Sequence, residues 1–246
     1  MKSLNRFRLP GALVLLMMGA LLTPAQWDKK PYTEWSEKEA QKLLDDSPWG
    51  QTQTFATQTS GSAPSASSSS RVFNTTQVNF RIRLFSAKPV RQAFSRIVEL
   101  RQKGNVSPQL AEQLKALANA DFPDYVIITV VCDADQRTAN FQEVTSILMS
   151  RTTADLKNNT FLEVKGRRVY LQEYQPPRND GTGARLIFPR LVDGKPFITP
   201  ESGEIHFYSE LSRPAISTSP NSSSQSYTLN QRFKVSAMSF QGKLEY

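Results

Sequence analysis

One run of eight residues limits what this chain can fold into. YVIITVVC (125–132) is apolar and β-branched almost throughout. Stiff β-branched side chains favour an extended backbone, and alternate residues of a strand point to opposite faces. A strand with no polar side must be covered on both faces. The neighbouring segments show what is available to cover it. VNFRIRLF (78–85) alternates strictly, with Val78, Phe80, Ile82 and Leu84 on one side and Asn79, Arg81 and Arg83 on the other. That predicts a half-buried strand. PVRQAFSRIVELRQK follows with Val90, Ala93, Phe94, Ile97 and Val98 at helical spacing, Pro89 in its first turn and Gly104 at its end. Ser107-Pro108 opens a second helix carrying Leu110, Ala111, Leu114, Leu117 and Ala118. A third spans roughly 138–150, with Phe141, Val144, Ile147 and Leu148 inward.

Beyond residue 150 the character changes. FLEVKGRRVYLQEY (161–174) predicts a hairpin turning at Lys165-Gly166-Arg167. ARLIFPRLV, a turn at Asp193-Gly194, KPFIT and GEIHFYSEL continue as short strands, and RFKVSAM and FQGKLEY add to them. Helices come early, strands late, and no βαβ rhythm is sustained. The expected fold is α+β, with a mixed or antiparallel sheet, about three helices in the first half, short strands and hairpins in the second, and a short N-terminal helix.

The N-terminus predicts export. Lys2, Arg6 and Arg8 precede an apolar core from Gly11 to Leu22 and a small-residue exit at Thr23-Pro24-Ala25, so residues 1–25 form a signal peptide, removed or kept as an anchor. Twelve helical residues span about 18 Å, short of the ~30 Å hydrocarbon layer. No later run approaches the length of a membrane span, so no transmembrane segment is expected after the signal. Residues 26–50 form a helical segment flanked by Trp35 and Trp49. Ser36 and Glu39 make a capping box, and Ala40, Leu43 and Leu44 give a narrow apolar stripe. So short a helix is marginal in water and needs a surface, supplied by its own main domain or by a separate partner. Asp45 and Asp46 oppose the helix dipole and are expected to serve the turn at Ser47-Pro48. Residues 51–70 are rich in Ser, Thr and Gln and predict a linker, disordered at 59–70, where TSGSAPSASSSS holds no large apolar residue. The main α+β domain then covers 71–246, with a second serine-rich stretch at 217–226 as a surface loop.

Charge is uneven: residues 71–120 carry nine Lys or Arg against two acids, and residues 27–50 four Lys against six acids. In an exported protein the basic block points away from nucleic acid and towards an envelope protein or an anionic surface component. Arg81 and Arg83 share a strand face, and Arg91, Arg96 and Arg101 lie on or beside the outer side of the next helix. Together they form either a patch for carboxylate or phosphate or a solvated face. With Trp35 and Trp49, Arg81, Arg83, Arg91 and Arg96 are the candidate binding residues.

Catalytic signals are sparse. His206 is the only histidine, and strand alternation places it beside Glu204, Tyr208 and Glu210. That is a candidate acid–base pair or an ordinary polar strand face. Asp133 and Asp135 follow the buried strand, as a D-x-D cation site or a helix cap. Cys132, the only cysteine, is a nucleophile or a small buried hydrophobe, and it forms no internal disulfide. No zinc-type spacing, P-loop, GxGxxG or G-x-S-x-G pattern occurs, so no cofactor or metal is expected.

PYTEWSEKEAQKLLDDSPWGQ (31–51), LFSAKPVRQAF (84–94) and the closing FKVSAMSFQGKLEY resemble a group of uncharacterised exported proteins of acidobacterial type. In that group a W-S-x-K-E…L-L-x-D-S-P-W segment follows the signal and an S-A-x-P-V-R-x-A strand end opens the main domain. The resemblance implies an export route and a shared architecture, and it assigns no catalytic residue. The expectation is a periplasmic or extracellular non-enzymatic binding or envelope-associated protein. The alternative is a periplasmic hydrolase or metal-dependent enzyme using His206 with Glu204, or Asp133 with Asp135.

Overall fold

A computed structural model describes residues 27–61, 72–102, 105–134, 139–212 and 226–246. The predicted signal peptide, residues 62–70 of the predicted linker, Gly104, Asp135 and nearly all of the loop expected at 217–226 lie outside the described residues.

A single 3-10 turn (Tyr32–Glu34) leads into α1 (Glu37–Asp45). The hairpin β1 (Gly50–Gly61) and β2 (Val72–Leu84) comes next, then α2 (Lys88–Arg101), α3 (Pro108–Asn119), β3 (Tyr125–Asp133) and α4 (Ala139–Ser150). A one-turn α5 (Thr153–Leu156) precedes β4 (Thr160–Val164), β5 (Arg167–Tyr170), β6 (Glu173–Gln175) and β7 (Ala184–Pro189). The two-residue ribbon β8 (Leu191–Val192) and β9 (Lys195–Pro196) follows. The long hairpin β10 (Glu204–Ser212) and β11 (Ser226–Lys234) then precedes a second ribbon, β12 (Ser239–Phe240) and β13 (Lys243–Leu244). The fold is α+β with antiparallel sheets. It differs from the expected layout in two respects. The described residues hold five helices, because Thr152 and Asp155 cap the extra turn α5. A strand also precedes the expected one: β1 pairs with β2 at the edge of the main sheet.

The first sheet has the order β1-β2-β3-β7-β6 and the second the order β11-β10-β4-β5, every neighbour antiparallel. β3 lies at the centre of the first sheet and is covered on both faces. On one face Val126, Ile128 and Val130 look towards the second sheet, where Phe80 meets Tyr227 at 5.5 Å and Phe188 meets Phe207 at 6.4 Å between ring centres. α4 fills the same layer, its Leu148 carbonyl accepting the Tyr174 hydroxyl at 2.6 Å. Ile127 and Ile187, paired across β3 and β7, look the other way, towards α2 and α3.

Residues 51–61 are not a linker. QTQTFATQTSG is most of β1, in register with β2 from Gly50↔Arg83 to Gly61↔Val72. Composition undervalued it because few of its side chains are large and apolar. Its hold on the core comes from one aromatic and two amides. Phe55 stands edge-on to both Phe80 and Tyr227 at 5.4 Å. Gln51 donates to the Arg232 carbonyl at 2.7 Å, and Gln53 donates to the Thr228 carbonyl at 2.8 Å while accepting from the Asn230 amide at 2.9 Å. These amides satisfy backbone groups on the outer edge of β11 that would otherwise stay open to pairing.

α1 is built as its capping box predicts. Glu39 Oε2 accepts from the Ser36 amide at 2.8 Å and hydroxyl at 2.7 Å, and the Ser36 hydroxyl accepts from the Glu39 amide at 3.3 Å. Its C-terminal turn is made by Ser47, not by the aspartates. The Ser47 hydroxyl donates to the Leu43 carbonyl at 2.6 Å and accepts from the amides of Trp49 and Gly50, each at 3.1 Å. Gly50 passes so close to the helix end that a Cβ there would lie 2.2 Å from the Leu44 carbonyl oxygen.

Candidate functional site

The candidate contact residues are mostly internal. Trp35 and Trp49 are each 1% exposed, so neither offers its ring to a partner. Trp49 donates its indole N–H to the Glu245 carbonyl at 2.8 Å and meets Trp27 and Phe240 edge-on. The segment they flank packs on its own molecule, against α2 and the helix-side face of β2.

The arginines do not form an outward patch, because acidic α1 lies over them and uses their charge. Asp45 accepts from Arg81 Nη1 at 2.9 Å and from Arg83 Nη2 at 2.8 Å, while Arg83 Nε donates to the Leu44 carbonyl at 3.0 Å. Burial pulls the Arg83 guanidinium below its usual basicity, and the hydrogen bond and charge of Asp45 oppose that shift. Arg91 is 2% exposed and reaches carbonyl oxygens only: Leu117 at 3.2 Å, Ala120 at 2.5 Å, Phe85 at 3.3 Å, and Ser86. Burial lowers its pKa to about 10. It closes the C-terminal end of α3, where a cation complements the helix dipole. Arg96 donates to the Trp35 carbonyl at 2.8 Å, and Arg101 reaches Glu37 at 3.5 Å. Of these arginines, Arg81, Arg83 and Arg101 meet carboxylates of α1.

Among the described residues the catalytic candidates lie on two different sheets. His206 Nε2 lies 2.7 Å from Asn230 Oδ1, and Glu204 pairs with Arg232 at 3.5 Å on the second sheet. Asp133, on the first sheet, pairs with Arg81 at 2.5 Å. Among the described residues, no group of three or more His, Cys, Asp or Glu is placed to hold a metal ion. Burial, and then the Asp133 charge, pushes the Cys132 thiol up to about 12, which keeps it protonated at neutral pH. Reactive cysteines have the opposite environment.

A concave site does exist, between the helix layer and the first sheet. It is a cleft of about 530 Å³. α2 contributes Phe94 and Val98, and α3 contributes Leu110, Leu114 and Leu117. Phe85, Phe122 and the paired Ile127 and Ile187 complete the apolar lining. Arg91 fixes two of these walls at once, by holding the end of α3 and by lying 5.0 Å from the Phe122 ring centre.

One end of the cleft is polar and comes from the turn into β7. Asp180 Oδ1 accepts from the Thr182 amide at 2.9 Å and hydroxyl at 2.7 Å. Arg185 Nη2 donates to Asp180 Oδ2 at 2.5 Å and to the Thr182 hydroxyl at 2.9 Å, and Nη1 reaches Gln175 Oε1 at 3.5 Å. Burial raises the Asp180 carboxyl, but the Thr182 hydrogen bonds and the Arg185 charge outweigh it and hold the group below its usual range. Gly181 and Gly183 both have positive φ, and a Cβ on Gly183 would lie 2.5 Å from the Val130 carbonyl oxygen. The turn therefore lies tight against β3, and its geometry depends on glycine.

The cleft-lining residues of α2 and α3 carry the helical spacing of core positions, and the turn carries no such periodicity. The available signal was NDGTGAR (179–185), an Asx-turn sequence with two glycines joined to an arginine that must leave it towards an apolar helix pair. No family model matches this chain, and no curated protein or solved structure matches it. Among the described residues, no helix is long and apolar enough to cross a membrane.

Proposed function

We propose that this is an exported, non-enzymatic binding protein, periplasmic or extracellular, and that it binds its ligand in the cleft under α2 and α3. Residues 1–25 serve as its signal peptide, and the chain is one of the acidobacterial-type exported proteins it resembles. The observation that carries the binding reading is the cleft itself: a space of about 530 Å³ lined by apolar side chains from the helix layer and the first sheet, with polar groups gathered at one end. That is the make-up of small-molecule sites in general. The export reading is supported by the Lys2/Arg6/Arg8 stretch and the apolar run after it. It also fits the position of Trp27, which packs on Trp49 only two residues beyond Ala25. A chain cut there keeps the ring in place.

The test is uptake of an uncharged fluorophore, N-phenyl-1-naphthylamine, by the chain from residue 26. The expected result is a saturable rise in emission that Leu110→Trp, at a half-buried position on the cleft wall, reduces about tenfold or more in affinity. Equal binding by the wild type and Leu110→Trp, with both folded by circular dichroism, would remove the cleft from the function.

A further inference from the structure

The polar end of the cleft carries information about the head group of its ligand, and this inference rests on the cleft being the binding site. Arg185 is the cation of that end, and its charge is already met. Asp180 lies 2.5 Å from Nη2, and Thr182 and Gln175 supply uncharged oxygens to the same guanidinium. Asp180 cannot readily swing away to release it. Its other oxygen is held by the amide and hydroxyl of Thr182, on a turn pinned against the β3 backbone at Gly183. The formal charge of the Arg185–Asp180 pair is zero.

We infer that the cleft takes an uncharged amphiphile: an aliphatic or ring body carrying one neutral oxygen acceptor, as in an alcohol, ester or amide. The body lies against Phe94, Leu114 and Ile187. The oxygen accepts from the guanidinium hydrogens of Arg185 that Asp180, Thr182 and Gln175 leave unused. A carboxylate fits this site poorly on two counts. It would lose its hydration for a cation that is already neutralised, and it would stand beside the Asp180 carboxylate. The selectivity follows from the turn and not from the apolar walls, which accept either compound.

The experiment displaces bound N-phenyl-1-naphthylamine with 1-decanol and with decanoate at pH 7.5, in the wild type and in Asp180→Asn. Asparagine keeps an oxygen for the Thr182 amide while freeing the charge of Arg185. The expected result is that decanol displaces the probe at about tenfold lower concentration than decanoate in the wild type, and that Asp180→Asn reverses the order. Decanoate acting as well as decanol on the wild type, or an unchanged ratio in Asp180→Asn, would overturn the head-group assignment while leaving the cleft as the site. Failure of both compounds to displace the probe, with Leu110→Trp binding it like the wild type, would instead overturn the cleft reading beneath it.

Discussion

Arg83 and Arg91 show two ways of keeping a guanidinium inside a small protein. Among the described residues Arg91 forms no ion pair; Glu245 and Asp121 act on it only at a distance, and its hydrogen bonds go to carbonyl oxygens at the end of α3 and the start of α2. Arg83 is 8% exposed along its side chain and relies on Asp45, which also serves Arg81. Removing the carboxylate leaves Arg83 with one carbonyl and a largely desolvated charge. Asp45→Asn should therefore cost about 2 kcal/mol in urea unfolding, less than the ~3–5 kcal/mol of a fully buried pair because Asp45 keeps 21% of its side chain exposed. Asp46→Asn, on the same helix end, should stay within ~0.5 kcal/mol. Equal effects of the two substitutions would show that the arginines do not depend on Asp45.

At the scale of elements, α1 is stable because its cap and its apolar stripe agree. Ala40, Leu43 and Leu44 are buried, and the Ser36–Glu39 box satisfies the first turn. The Ser36 backbone and side-chain hydrogen bonds, then Lys30, lower the Glu39 carboxyl to about 2 from 4.5. A carboxyl depressed in the folded state stabilises the fold above its unfolded pKa, and that contribution fades as pH falls through the folded value. Ser36→Ala should thus cost about 1 kcal/mol at pH 7. Unfolding of the two proteins measured from pH 7 to pH 2 should show the difference shrinking between about 4.5 and 2. A difference constant with pH would mean that the Ser36 hydroxyl, unlike the backbone amide that the substitution keeps, contributes nothing through Glu39. This helix was legible in the sequence, and so were α2, α3, β3 and the β4–β5 hairpin, because in each the local pattern and the burial coincide. β1 was not, since Gln51 and Gln53 gain their partners, and Phe55 its contact with Tyr227, 170 or more residues later in the chain. Neither was the fate of the arginines: an alternating strand shows that Arg81 and Arg83 share a face, but not that an acidic helix covers it.

Over the whole molecule the two ends of the described chain lock together. Trp49 binds Glu245, Asp28 accepts from the Gln241 amide at 3.0 Å, and the Glu245 carboxylate accepts from the Lys88 amide at the start of α2. The Trp-flanked segment is thus part of the frame that sets the helix layer over the first sheet, and the cleft is the space this frame leaves. The polar turn at 180–185 was hidden from sequence reading for a related reason: Asp180, Thr182 and Arg185 acquire meaning only when β7 pairs with β3 beneath α2 and α3. The cleft is the proposed ligand site of the whole molecule. Backbone amide chemical-shift mapping of the chain from residue 26, titrated with 1-decanol, tests it most directly. The expected result is saturable shifts confined to α2, α3, Phe122–Ile127 and the turn from Asp180 to Ile187. Shifts centred on His206 and the outer face of the second sheet, or none at all, would contradict it.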